Sequence, residues 1–204
     1  MHFKLKGTNI HISFLFAALV FVMLSYQNTI LPLLILISSL VHEAGHLICM
    51  LIFRVKAQAV CFNLFGMRII KSPRCILTPK AEILIALAGP AFNFILFLIS
   101  FTNFFCTARS VFLKLALLNA FMCVFNMLPV CTLDGGCALQ SFMLQFKSGD
   151  TVNKAITVIS FITVIPVVVF GSMLLIRTRY NFTLLAAGVY MLLLLVLKKR
   201  NRVL

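Results

Sequence analysis

Negative charge is scarce in this chain: Glu43, Glu82, Asp134 and Asp150 are its only acidic residues among 204. Charged residues of both signs make up 11% against 62% hydrophobic, which excludes an ordinary soluble domain. The seven cysteines form no C-x-x-C pair, so no dithiol or zinc-ribbon motif is on offer. They read as reduced, small apolar residues. A Ser/Gly-rich linker, a low-complexity tract and a repeat at 20–50-residue spacing are all lacking, so one domain over 1–204 is expected.

Long apolar runs are what the chain does have. A hydrocarbon core about 30 Å thick takes about 20 helical residues to cross, and runs of that order lie near 10–26, 30–53, 82–101, 109–128, 155–176 and 182–197. The expectation is an all-α polytopic membrane protein with about six transmembrane helices. The first run follows Lys4 and Lys6 as a signal peptide would, but Leu24-Ser25-Tyr26-Gln27 offers no small-residue cleavage site, so it reads as a retained anchor.

The net charge of +14 would suit nucleic acid, but its distribution argues for topology instead. With six crossings, one side receives Lys4, Lys6, the basic residues from Arg54 to Lys80, Lys147, Lys154 and the Lys198-Lys199-Arg200-Asn201-Arg202 tail. The other side receives only Arg109, Lys114, Arg177 and Arg179. The positive-inside rule then puts both termini in the cytoplasm, with the basic loops against anionic lipid and no nucleic-acid partner. Between the second and third runs, residues 55–70 alternate imperfectly around Gly66, which suggests a short β-hairpin at the membrane edge. Thr78 followed by Pro79 supplies an N-cap and first-turn proline for the next helix, with Glu82 near its positive end. Residues 135–147 are too short to cross and read as a helix along the cytoplasmic face.

Each acid inside hydrocarbon is costly unless paired or bound to a metal. Glu43 lies in His42-Glu43-Ala44-Gly45-His46, an H-E-x-x-H sequence within an apolar run. Histidines at i and i+4 leave one helical face about 6 Å apart along the axis, so both imidazoles can reach one zinc while the intervening glutamate reaches water. Two histidines lining a polar channel would give the same pattern. A catalytic zinc wants a third protein ligand. His2 is terminal, and His11, at the start of the first run, suits interfacial packing. Asp134 is the better candidate, lying between Pro129, which can interrupt a helix, and Gly135-Gly136, which give a carboxylate room. A solvated aspartate in a Pro-to-Gly turn is the plain alternative. In the charge-derived topology His42, His46 and Asp134 all fall in the cytoplasmic half of the membrane.

Three segments in this order, His42-Glu43-Ala44-Gly45-His46, Ala88-Gly89-Pro90-Ala91-Phe92-Asn93 and Asn126-Met127-Leu128-Pro129 through Leu133-Asp134-Gly135-Gly136, resemble the site-two protease family of intramembrane zinc metalloproteases. The resemblance covers most of the chain and is nearest to the branch typified by stage IV sporulation protein FB. It implies a Zn2+ held by His42, His46 and Asp134, with Glu43 as the catalytic base, in one membrane-embedded metalloprotease domain; within 204 residues no PDZ insert or C-terminal regulatory domain is expected. It further implies that Asn126 holds an extended substrate segment and that the hairpin pairs with substrate as an added strand; for Asn93 it implies either assistance at the site or helix packing. The partners it implies are a membrane-tethered or single-pass protein substrate, such as a sporulation sigma-factor precursor, and an inhibitory membrane protein. Cys131-Thr132 departs from the pattern, since many members carry a second proline there. A catalytically silent zinc-binding scaffold and a small membrane transporter are the rival readings.

Overall fold

The computed structural model describes residues 2–5, 8–12, 30–55, 57–63, 66–71, 77–179 and 182–200. Six helices and four strands are found among them: α1 (Leu31–Ile52), α2 (Pro79–Thr107), α3 (Ser110–Asn126), α4 (Asp134–Met143), α5 (Gly149–Thr178) and α6 (Thr183–Arg200), with β1 (His2–Leu5), β2 (Thr8–Ile12), β3 (Ala57–Asn63) and β4 (Gly66–Lys71). The chain divides into two compact units, Met1–Phe125 and Asn126–Leu204.

Among the described residues three helices, α1, α2 and α5, are long and apolar enough to cross a membrane, at 22, 29 and 30 residues. They expose large apolar side chains such as Leu51, Phe105, Phe170 and Ile176 to their surroundings, as lipid-facing helices do. The chain is a membrane protein. Of the six expected crossings, three are helices of this length among the described residues, and the other two apolar helices are shorter. Helix α3 has 17 residues, about 26 Å of rise, and the apolar part of α6 is Leu184–Val196. Hydropathy registers an apolar run without showing where a helix starts and stops, and α3 starts at Ser110 and stops at Asn126 within the run 109–128. In the first expected crossing, Ile10, His11 and Ile12 belong to β2; residues 13–26 lie outside the described residues.

In the first unit the strands form one sheet in the order β1-β2-β3-β4. An isolated hairpin over 55–70 is therefore not the whole of it. β3 and β4 pair antiparallel from Ala57↔Lys71 to Asn63↔Gly66, and β3 also pairs parallel with β2, Asn9 opposite Ala59. Parallel neighbours need a crossover connection, and α1 lies in it.

The ends of α1 and α2 show how local chemistry sets them. Arg54 has φ 53°, in the left-handed region. Its N–H donates to the Leu51 carbonyl at 3.0 Å and the Val55 N–H to the Met50 carbonyl at 2.8 Å. This is a Schellman stop built without glycine. Val55 and Met50 pack with Ile85 in a small buried cluster, the apolar contact that goes with such a stop. Helix α2 starts as its sequence suggests: the Ala81 N–H donates to Thr78 Oγ1 at 3.3 Å, and Pro79 occupies the first turn.

The second unit contains α4, α5 and α6. Helices α5 and α6 run antiparallel, and Gly171 lets them meet closely: a β-carbon there would lie 2.8 Å from the Leu185 nitrogen. Val152, Ile156 and Val164 on α5 and Leu195 on α6 are almost completely buried.

Arg54→Gly should raise stability by up to about 1 kcal/mol, because it removes the left-handed penalty and keeps both capping bonds. Unfolding in detergent checks this; a lowered midpoint would contradict the capping assignment.

Candidate metal centre

Helix α1 carries the first three predicted site residues. Spacing of four places His42 and His46 on one face, and both are buried. Their rings meet edge to face with centroids 4.9 Å apart, and the two Nε2 atoms lie 3.2 Å apart. Nδ1 of His46 is 2.8 Å from the Ile85 carbonyl oxygen on α2. A carbonyl only accepts, so Nδ1 carries the proton and Nε2 presents its lone pair toward His42. Glu43 lies between the two histidines in sequence and is half-buried.

Two glycines let α1 and α2 come together at this level. A β-carbon on Gly45 would lie 2.7 Å from the Ala88 carbonyl oxygen and 2.9 Å from Cγ of Phe92. One on Gly89 would collide with Nε2 of His46 and lie 2.8 Å from Cε1 of His42. Gly89 therefore leaves open the space into which both imidazoles project. The residues fit a zinc ion: two nitrogens bound at about 2.0–2.1 Å in a tetrahedron are about 3.3 Å apart, close to the separation seen. The second ring nitrogen of His46 is held by a carbonyl, the outer-shell arrangement usual for a metal-ligating histidine.

Asn93, one helical turn beyond Gly89, is fully buried. Neither its amide oxygen nor its nitrogen has a hydrogen-bond partner among the described residues. Such a group is rare in a packed interior and calls for a ligand or water. Ser38, one turn before His42, is fully buried too and accepts from Nδ2 of Asn119 at 2.9 Å. The Asn119 amide also donates to the Leu115 carbonyl at 2.8 Å. This bond ties α1 to α3.

In the second unit, Asp134 is the first residue of α4, with Leu133 as an extended N-cap. Its carboxylate stands at the positive end of the helix. Gly135 and Gly136 press against the loop before it: β-carbons there would strike the carbonyls of Met127 and Val130 respectively. Asn126, the last residue of α3, is half-buried. His2 and His11 occupy paired positions of β1 and β2.

Sequence reasoning did not single out the Ile85 carbonyl, the Ser38–Asn119 bond or the fit of Gly89 against the imidazoles. Only the glycine left a signal, as part of Ala88-Gly89-Pro90.

No protein-family profile matches the chain. The solved site-2 protease from Methanocaldococcus jannaschii superposes with a TM-score of 0.62, covering 94% of this chain and 91% of that one at 19% identity. The chain thus has the fold of a site-2 protease. A candidate zinc metalloprotease of Synechocystis sp. is 29% identical over 136 residues, 64% of this chain and 35% of that protein. The chain therefore spans about a third of the length of the curated relative it matches.

Gly89→Ala should weaken zinc binding by at least about tenfold, the scale of outer-shell changes at metal sites. Gly149→Ala, which has nothing within 4 Å of the added carbon, should leave it unchanged. Competition with a chromophoric chelator measures both.

Proposed function

We propose that this protein is an intramembrane zinc endopeptidase of the site-two protease family that cleaves a membrane-tethered or single-pass protein. The single observation carrying this is the imidazole pair: two buried nitrogens 3.2 Å apart, one with its tautomer set by the Ile85 carbonyl, flanking Glu43 in the sequence. On this reading His42, His46 and Asp134 would supply two nitrogens and a carboxylate oxygen, the donor set of a catalytic zinc that keeps one position open. Zinc bound there would act as a Lewis acid, making water a nucleophile at neutral pH and polarising a peptide carbonyl.

The chain's own residues do the rest. The Glu43 carboxylate accepts a proton from the attacking water, whose oxygen adds to the scissile carbonyl carbon. Glu43 then delivers that proton to the leaving amide nitrogen. The buried amide of Asn93 can donate to substrate oxygen, and the Asn126 side chain can hold a substrate backbone extended. A helical substrate shields its own carbonyls, so it must unwind locally before cleavage. Residues with low helix propensity in the substrate favour that step.

Within this reading the nearest branch is that of stage IV sporulation protein FB, on the three motifs together. Its substrate would be a sporulation sigma-factor precursor, and its regulator an inhibitory membrane protein. The strands over 57–71 would lie at the membrane edge and receive substrate as an added strand. The distribution of basic residues supports both termini and the catalytic residues facing the cytoplasm.

Co-expression with tethered transcription-factor precursors tests the reading by product size. Glu43→Gln should lower cleavage by about 10²–10⁴-fold, the usual share of a general acid–base group, while zinc remains bound. Asp134→Ala should abolish cleavage and weaken zinc. Undiminished cleavage in Glu43→Gln would sink the protease mechanism. Zinc binding without any cleavage would favour a scaffold, and chelator-insensitive solute movement a transporter.

A further inference from the structure

The loop that carries the chain from α3 to Asp134 is pinned by a side chain from a distant part of the sequence. Pro129 ends helical pairing there, and the backbone closes on itself: the Val130 N–H donates to the Leu128 carbonyl and the Leu133 N–H to the Val130 carbonyl, both at 2.8 Å. Cys131 is left buried with its N–H directed out of the loop. That N–H donates to Oγ of Ser160 on α5 at 2.9 Å. Ser160 is fully buried in an apolar helix and donates its own hydroxyl proton to the Ile156 carbonyl at 2.6 Å. Hydroxyl and amide thus form a directed relay from loop to helix, in which each group is satisfied by the next.

Two further contacts make the arrangement stiff. Gly135 and Gly136 bring the first turn of α4 onto the carbonyls of Met127 and Val130. At the other end of α4, the Gln140 amide donates to Oδ1 of Asn153 on α5 at 3.0 Å. The segment from Cys131 to Gln140 is therefore registered to α5 at both ends, and Asp134 lies between the two tethers.

We propose that Ser160 is a positioning residue for the Asp134 carboxylate, setting where the third metal ligand stands by fixing the Cys131 amide three residues before it. This rests on the reading of Asp134 as a ligand. A serine serving only to pack α5 would have no need to accept from the loop. The hydroxyl donates to Ile156 and at the same time accepts from Cys131, so it bridges helix and loop.

The test uses the full chain in detergent, loaded with zinc and, for spectroscopy, with cobalt(II). Ser160→Ala should weaken zinc by about tenfold, as outer-shell losses do, and shift the cobalt spectrum toward that of Asp134→Ala. Ser160→Thr keeps the hydroxyl and should hold native affinity within about threefold. Ser160→Cys, nearly isosteric but a weak acceptor, should fall between the two and decides the matter if the alanine variant does not fold. Leu195→Ala makes a cavity on α6 and controls for lost stability alone. If Ser160→Ala or Ser160→Cys loses stability as Leu195→Ala does, yet keeps native zinc affinity and cobalt spectrum while Asp134→Ala changes both, the positioning role is overturned and the ligand reading stands. An Asp134→Ala variant with native spectrum and affinity overturns both together.

Discussion

A buried imidazole has a defined face only when one of its nitrogens is committed, and for His46 that commitment is to the carbonyl of Ile85. The bond joins two helices, fixes the tautomer and turns the lone pair of Nε2 toward His42. In an apolar interior such a bond is electrostatically stronger than in water, and leaving it unmade would be correspondingly expensive. The remainder of the first unit is arranged so that this bond can form. Gly45 brings the α2 backbone within reach, and Gly89 leaves room for both rings.

The same reasoning extends along α1. Ser38 and His42 share a face, as do Gly89 and Asn93 on the antiparallel α2, so the polar groups of the two helices occupy one buried strip. Asn119 closes part of it by bonding to Ser38. Polar side chains in an apolar bundle are retained where they bond to one another or meet a ligand. The first account covers Ser38 and Asn119. For Asn93, with neither amide atom partnered among the described residues, the second is the consistent one.

The second unit solves a different problem, that of holding a carboxylate at the start of a helix without a side-chain cap. Leu133 offers no capping oxygen, so the geometry before Asp134 comes from a collapsed loop, two glycines in close approach and the hydroxyl of Ser160. The bond from the Cys131 N–H to Ser160 supplies a constraint on this loop that proline at the same position, lacking an N–H, could not make.

Much of the chemistry was legible in the sequence because it depends on short-range periodicity. The spacing of His42 and His46, the Thr78-Pro79 start of α2, the helix beginning beside Asp134 and the apolar character of the long helices all follow from neighbours within a turn or two. The number of helices long enough to cross and the four-stranded sheet did not, since a hydropathy window cannot see where a helix ends or which strand a segment will join. The tautomer of His46, the room left by Gly89 and the anchoring of the loop by Ser160 were likewise decided only by tertiary structure. Each is a contact between residues from 29 to 47 positions apart, and nothing in a linear pattern records which carbonyl or hydroxyl will be opposite once the helices pack.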